Sequence, residues 1–151
     1  MIAYRFNHDI GGLTIRGDET SGRLGVAWTE AAWADGSIDE EVAVIYYAGL
    51  AAERLVCPHA SPRDGAGSDY LAAARYATTP TRRSELRARA AALVKENSGP
   101  IAALATALLR DEALSADETA LVIDCIDEGQ DWRANLAQLR EASKRRGRAD
   151  A

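Results

Sequence analysis

Few residues of this chain have side chains that bind metals or transfer protons, and they are widely spaced. The 151 residues include two histidines, His8 and His59, and the second lies two residues after Cys57. A metal site at Cys57 and His59 would also need Asp64 or Asp69 from the following loop, because a catalytic zinc ion takes three protein ligands. A cysteine at the end of an apolar stretch is more typical of a small buried residue, and a single loop histidine of a solvated one. We therefore do not expect a metal site there.

Asp69 stands at a predicted junction between a loop and a helix. Residues 58–67 are rich in Pro, Gly and Ser, and Ser68 or Asp69 can then cap a helix that runs to about Thr78. A helix cap contributes about 1 kcal/mol and needs no metal. Because no histidine is close to it in sequence, capping is the role that the residues themselves favour for Asp69.

No other arrangement of residues indicates catalysis. His8 beside Asp9 in a predicted turn is not by itself a signal of acid–base chemistry. The chain has no supported Ser-His-Asp or Cys-His arrangement and no G-x-x-x-x-G-K-[ST] loop for a nucleotide. The acidic pairs Glu40-Glu41 and Asp117-Glu118 fit favourable charges in first helical turns. The three tryptophans fit core or interface anchors: Trp28, Trp33 and Trp132.

The composition predicts a mainly helical protein. Hydrophobic residues make up 47% of the chain and aromatic residues 6%, and the abundance of alanine favours close-packed helices over a β-sandwich. Residues 1–6 fit the end of a helix or an extended segment, and Asn7 to Gly12 fit a turn. Two β-prone runs at 13–16 and 24–29 flank a turn-rich segment and predict a hairpin. The expected fold class is mainly α, a helical bundle with a small N-terminal β-hairpin.

Capping signals and apolar spacing place the helices after the hairpin. A capping box at Ser37 and Glu40 opens a helix that should end at Cys57-Pro58. A second capping box at Ser115 and Glu118 opens a later helix, which Gly129 should stop. Other helices are expected at about 69–78, at 81–96, at 100–110 and from Trp132 to the basic tail. In the helix at 100–110, Leu104, Leu108 and Leu109 should face inward.

The charges suggest a globular body with a basic C-terminal tail. The net charge is -5, yet residues 129–151 hold six Lys or Arg against three Asp or Glu. We expect one domain at 1–128, followed by an amphipathic helix and basic tail at 129–151. The run from Lys144 to Arg148 fits a solvated, frayed terminus, so nucleic acid is not the expected partner.

The sequence also favours a cytoplasmic location without a membrane span. No apolar run reaches the roughly 18 residues that a membrane-spanning helix needs. The amino terminus lacks the pattern of a signal peptide, and Cys57 and Cys125 lie far apart in apolar stretches. We therefore expect a reduced, cytoplasmic chain.

Two neighbouring segments carry the most specific pattern of the chain, Ala51-Ala52-Glu53-Arg54-Leu55-Val56 and Gly65-Ala66-Gly67-Ser68-Asp69-Tyr70. They resemble Ala-Ala-Glu-Glu-Leu-Val and Gly-Ala-x-Asn/Ser-Asp-Leu of the M41 family of zinc peptidases, the proteolytic domain of FtsH-type ATP-dependent proteases. Ala3-Tyr4-Arg5 is similar to the residues just after the family's His-Glu-Ala-Gly-His, and the shared order extends to about residue 128. The chain departs from the family at Leu50, where Arg is frequent, and at Cys57-Pro58-His59, where Phe-Gly is frequent.

The resemblance implies a zinc site of which this chain holds one ligand. By resemblance Asp69 occupies the position of the carboxylate ligand, while the family's other ligands are the histidines of His-Glu-x-x-His, whose glutamate activates water. His8 and His59 cannot form that motif, so no cofactor is expected in this chain. The motif would fall directly before Met1. Either the protein lacks it or the sequence begins at an internal start.

Two hypotheses about function follow. The first is an M41-like zinc metallopeptidase domain that is catalytically inactive because the His-Glu-x-x-His segment is missing. The alternative is a protein-binding or regulatory module that uses the peptidase scaffold to dock a partner or to self-associate. In both cases the expected partners are proteins, peptides or further copies of the chain.

Overall fold

The computed structural model describes residues 1–16, 26–30, 39–59 and 67–149, and it divides the chain into two compact units. Unit 1 comprises Met1–Asp9 and Ala31–Ile101, and unit 2 comprises Ile10–Glu30 and Ala102–Ala151. Helices dominate, and a small antiparallel β-hairpin lies near the N-terminus. The expected fold class, mainly α with an N-terminal hairpin, is therefore confirmed. The expected division after residue 128 stays a prediction.

Seven helices and three strands lie in the described ranges. In chain order they are α1 (Ile2–Arg5), β1 (Asp9–Thr14), β2 (Val26–Glu30), α2 (Asp39–Val56), α3 (Gly67–Tyr76), α4 (Pro80–Glu96), α5 (Ser98–Asp111), β3 (Ala113–Ser115), α6 (Ala116–Asp127) and α7 (Trp132–Ala149).

The three strands form one sheet in the order β2-β1-β3. Strands β1 and β3 are antiparallel, with Gly12 opposite Ser115. The prediction of a turn at Gly12 is wrong, because Gly12 lies within β1. Its φ of +143° is rarely adopted by other residues, and a Cβ there would lie 2.9 Å from the Leu114 carbonyl oxygen. Glycine thus allows β1 to approach β3 closely.

Helix α2 is the centre of unit 1 and contacts α1, α3 and α4. It ends at Val56, just before Pro58, as the sequence predicts. Ser37 lies outside the described residues, so its capping box stays a prediction. Small side chains let the helices approach one another, and the core of unit 1 consists of Ile2, Ala43, Val44, Tyr47, Ala48, Ala73, Ala77, Leu86, Ala90 and Val94.

Helix α3 begins at Gly67, two residues earlier than the sequence predicts. Ser68 and Asp69 therefore lie in its first turn, and the prediction that one of them is the N-cap is wrong. A carboxylate in this turn still interacts favourably with the unpaired backbone N–H groups of the helix N-terminus. Asp69 thus retains a structural role that requires no ligand.

The sequence predicts a break between the helices at about 81–96 and 100–110, and the structure reduces it to one residue, Asn97, because α5 begins at Ser98. The side-chain amide of Asn97 donates to the Leu93 carbonyl oxygen at 2.8 Å, and its Oδ1 accepts from Arg5 Nε at 2.6 Å. Asn97 is buried, so these bonds satisfy a polar group that would otherwise be costly. They also connect α1 to the end of α4.

The start of α6 confirms the second capping box. The Ser115 hydroxyl accepts from the Glu118 amide at 3.2 Å, and the Ser115 amide donates to Glu118 Oε2 at 2.8 Å. After this helix, Gly129 adopts a φ of +69°, which fits its predicted role as a stop. Val122 and Cys125 of α6 are buried.

Two predictions for the other helices of unit 2 are wrong. Leu104 is buried as expected, but Leu109 is 78% exposed because it lies one position beyond the buried face. The basic segment from Lys144 was expected to be a frayed terminus, whereas α7 remains helical to Ala149. Trp132 at the start of this helix is buried, as expected of a core anchor.

Across the described residues, none of the helices is both long enough and apolar enough to cross a membrane.

Candidate functional site

Asp69 lies on the surface of unit 1, where α3 crosses α2. Its side chain is exposed, and the Ser68 hydroxyl donates to Asp69 Oδ1 at 3.4 Å. Asp69 Oδ2 lies 4.0 Å from the position that a Cβ would take at Gly49 of α2. This distance is an ordinary van der Waals separation, so the Asp69 carboxylate lies beside α2 at Gly49.

The two histidines occupy different surroundings. His8 lies between α1 and β1, its side chain is 10% exposed, and its Nε2 is 4.0 Å from Glu41 Oε2. His59 is exposed in the turn after α2. Cys57 is also exposed, so the expectation of a buried cysteine at this helix end is wrong. The reason is that α2 passes beyond the core of unit 1 in its last turn, where Leu55 and Val56 are exposed too.

The donor set does not fit the zinc site that the resemblance implies. In the part of the chain that the structure describes, no three His, Cys, Asp or Glu side chains are grouped closely enough to hold a metal ion. Asp64 lies outside those residues. Asp69 is one carboxylate, whereas a catalytic zinc ion needs three protein ligands and an open position for water. No hydrolytic step can therefore be derived from these residues.

A second cluster in unit 1 joins two tyrosines and an arginine. The rings of Tyr47 on α2 and Tyr70 on α3 are 5.3 Å apart and meet edge to face. Arg87 of α4 places its guanidinium carbon 4.4 Å from the Tyr70 ring centre and 5.4 Å from the Tyr47 ring centre. Such contacts hold a guanidinium by its flat face and leave its N–H groups available at the edge.

Sequence reasoning missed this cluster. Tyr47 follows the apolar spacing of α2, and nothing in that spacing distinguishes it from an ordinary core residue. Arg87 lies in a helix with several other arginines, so its type is not informative. The one local signal is the hydroxyl group of Tyr47, because a buried tyrosine normally finds a hydrogen-bond partner.

Unit 2 contains a network of charged side chains around Arg140. Arg140 Nε donates to Glu118 Oε1 at 2.6 Å, and its Nη1 donates to Asp111 Oδ2 at 2.8 Å. Arg110 also donates to both oxygens of Asp111, at 2.9 and 2.6 Å. Arg140 thereby connects α7 to the end of α5 and the start of α6.

The arginines lower the pKa values of both carboxyl groups in this network. The pKa of Asp111 lies below its ordinary value because of the hydrogen bond from Arg110, with a further contribution from Arg140. Burial opposes ionisation of Glu118, but the bonds from Arg140 and the Ser115 amide outweigh it and hold its pKa below normal. Both groups therefore stay ionised at neutral pH, as expected of a structural network rather than of a general acid.

No protein-family model matches the chain, and no curated protein is significantly similar to it in sequence. The resemblance to M41 peptidases therefore rests on the segments of the chain itself.

Proposed function

We propose that the chain is an M41-like zinc metallopeptidase domain that does not itself hydrolyse peptides. The observation that carries the proposal is the placement of Asp69 in the first turn of α3, against Gly49 of α2. By the resemblance of the sequence segments, Asp69 corresponds to the metal-binding carboxylate of the M41 family. The order of a short helix, two strands, a long helix and the Asp69 helix gives further support.

The lack of turnover follows from the donor set. Neither His8 nor His59 belongs to a His-Glu-x-x-His segment, and the 151 residues hold no other histidine. Asp69 alone cannot hold a zinc ion tightly enough for hydrolysis, because metal affinity depends on several ligands acting together.

Both cysteines are free thiols, which supports a reducing compartment such as the cytoplasm.

We expect the purified chain to contain less than about 0.1 zinc per molecule and to leave casein uncleaved, since a catalytic site needs three ligands. Adding a helical segment with His-Glu-Ala-Gly-His directly before α1 should raise the content to about one zinc per chain. Asp69→Asn in that extended protein should weaken zinc binding at least about tenfold. Elemental analysis and competition with a chelating dye would measure both.

Asp117→Asn is the matched control, because Asp117 also lies in the first turn of a helix. It should leave the zinc affinity of the extended protein unchanged. Zinc binding and casein cleavage by the original chain would contradict the inactive assignment. Failure of the extended protein to bind zinc through Asp69 would contradict the M41-like scaffold.

The second candidate function is a protein-binding module that uses this scaffold for docking or self-association. It is favoured by the exposed apolar side chains of unit 1. Val56 at the end of α2 is 87% exposed, and Leu71 on α3 is 72% exposed. Large exposed apolar side chains are typical of interaction surfaces when they occur together.

If the chain self-associates through this surface, it should form oligomers at micromolar concentrations. The double variant with Val56→Gln and Leu71→Gln should then be monomeric. Sedimentation velocity between about 1 and 100 µM would measure the change, a range in which interfaces of modest area dissociate. Leu109→Gln in unit 2 is the control, because Leu109 is equally exposed but belongs to the other unit. A chain that is monomeric at all these concentrations would contradict self-association.

A further inference from the structure

The last turns of α7 are exposed all around the helix axis. Residues 141–146 are six consecutive exposed residues, and an α-helix has about 3.6 residues per turn. They lie beyond Leu136, which is fully buried, and beyond Arg140, which bonds to two carboxylates of unit 2. The helix therefore continues after its packing against the rest of unit 2 has ended.

These turns are held by local contacts alone among the described residues. Lys144 Nζ lies 2.8 Å from Glu141 Oε1, and the Ser143 hydroxyl donates to the Leu139 carbonyl oxygen at 3.0 Å. Because exposed residues add nothing to a buried core, substitutions at these positions should leave the fold of unit 2 intact.

Among the described helices, α7 is the most basic. Of the 18 Lys or Arg residues of the chain α7 holds six, but of the 23 Asp or Glu residues it holds one, Glu141. Arg140 is neutralised by two carboxylates, and Lys144 pairs with Glu141. Arg145 and Arg146 are exposed and form no ion pair with any described carboxylate. Their positive charge is therefore available to a partner.

The helix dipole accounts for only part of this charge. Lys and Arg side chains stabilise the C-terminus of a helix, but the effect falls off within the last turn. The last turn of α7 begins at Arg146, because the helix ends at Ala149. Lys144 and Arg145 lie before it, so their positions need another explanation.

The three basic side chains leave the helix in different directions. Successive residues of an α-helix are about 100° apart, so Lys144, Arg145 and Arg146 span about 200° around the axis. A flat acidic surface reaches one side of such a helix. The major groove of duplex DNA has phosphates along both edges and, at about 12 Å, is wide enough to admit a helix.

We propose that the last turns of α7 bind in the major groove of duplex DNA, with phosphate contacts from Lys144, Arg145 and Arg146. Guanidinium and ammonium groups are the usual partners of phosphate oxygens. The expectation that nucleic acid is not a partner assumed a frayed terminus, whereas α7 is helical to Ala149. This proposal is independent of Asp69 and of the M41 resemblance.

The same turns fit an anionic membrane or an RNA duplex poorly. A helix that lies in a membrane interface needs a face of large apolar side chains, whereas the exposed uncharged residues here are Ala142 and Ser143. The major groove of double-stranded RNA is deep and narrow, and side chains cannot read it.

Acidic side chains at the other end of α7 do not cancel the attraction. Glu128 and Asp131 are exposed in the turn before the helix. At about 1.5 Å per residue, Asp131 is about 20 Å from Arg145 along the axis. The Debye length at physiological ionic strength is about 8 Å, so these carboxylates are largely screened from a phosphate at Arg145.

The test is fluorescence anisotropy of a labelled DNA duplex of about 20 base pairs, titrated with the full chain at several salt concentrations. Three phosphate contacts predict a slope of about -2.7 in a plot of the logarithm of the association constant against that of the salt concentration. Arg145→Gln with Arg146→Gln should reduce the slope to about -0.9 and weaken binding at about 50 mM salt at least about tenfold.

The matched control is the double variant with Arg75→Gln and Lys95→Gln. It changes the net charge by the same amount at exposed positions of unit 1, and it should leave the slope unchanged. Urea unfolding of the Arg145→Gln, Arg146→Gln variant should have the same midpoint as that of the wild type, which separates lost binding from lost fold.

Competitors distinguish DNA from other polyanions. Double-stranded RNA and polyglutamate of equal charge should each compete at least about fivefold more weakly than unlabelled DNA. The proposal is overturned if the wild type does not bind DNA below about 100 µM at about 50 mM salt. It is also overturned if the Arg145→Gln, Arg146→Gln variant binds like the wild type, or if either competitor equals DNA.

Discussion

Gly12→Ala should destabilise unit 2 by about 2–4 kcal/mol. Two causes act together. The φ of +143° at Gly12 is strained for alanine, and the new Cβ would lie 2.9 Å from the Leu114 carbonyl oxygen, which is backbone and cannot rotate away. The strand pairing of β1 with β3 would have to open. Urea unfolding monitored by far-ultraviolet circular dichroism would measure the loss.

Gly129→Ala is the matched control for this substitution. Gly129 also has a positive φ, +69°, but no atom lies within 4 Å of the position of its Cβ. The expected cost is therefore backbone strain alone, about 1 kcal/mol. Equal destabilisation by the two substitutions would show that the close approach of β1 to β3 is not a significant constraint.

Arg140→Gln should lower the free energy of unfolding by about 2–3 kcal/mol. The substitution removes the hydrogen bonds from Arg140 to Asp111 and Glu118, whose side chains are both 17% exposed. Asp111 keeps its bonds from Arg110, whereas Glu118 keeps only the bond from the Ser115 amide among those described, so most of the loss is expected at Glu118. Arg145→Gln, an exposed position on the same helix, should change stability by less than about 0.5 kcal/mol. Urea unfolding of the two variants in parallel would measure the difference.

The same network predicts how stability depends on pH. The folded-state pKa values of Asp111 and Glu118 lie below their ordinary values of 3.8 and 4.5. Their contribution to stability is therefore complete above about pH 4.5 and is lost as pH falls through the lower folded-state values. Below about pH 4 the wild type should lose stability more steeply than Arg140→Gln. Parallel curves for the two proteins would contradict the role of Arg140.

Helix ends that depend on only a few neighbouring residues were predicted well from the sequence. The capping box of Ser115 and Glu118, the end of α2 before Pro58 and the stop at Gly129 each depend on backbone chemistry within one helical turn. The fold class follows from the same signals, because the abundance of alanine and the apolar spacing both favour helices.

Features that depend on contacts between distant residues were not predicted. In the sequence, Gly12 has the features of a turn residue. Its place in a strand depends on the pairing of β1 with β3, which lies about a hundred residues later in the chain. Cys57 and Leu109 have apolar neighbours in sequence, but the helices that carry them extend beyond the buried core. The meeting of Tyr47 with Arg87 depends on the alignment of α2 with α4, for which the sequence has no local signal.

Both units are assembled from segments that lie far apart in the chain, and this has a consequence for protein synthesis. Arg5 bonds to Asn97 in unit 1, and β1 pairs with β3 in unit 2. During translation, neither unit can be completed until the ribosome has released the chain beyond these late segments. The early strands and α1 must wait without their partners for most of that time. Such long-range closure is slow, so the early segments stay unpartnered for longer than they would in a protein with contiguous domains.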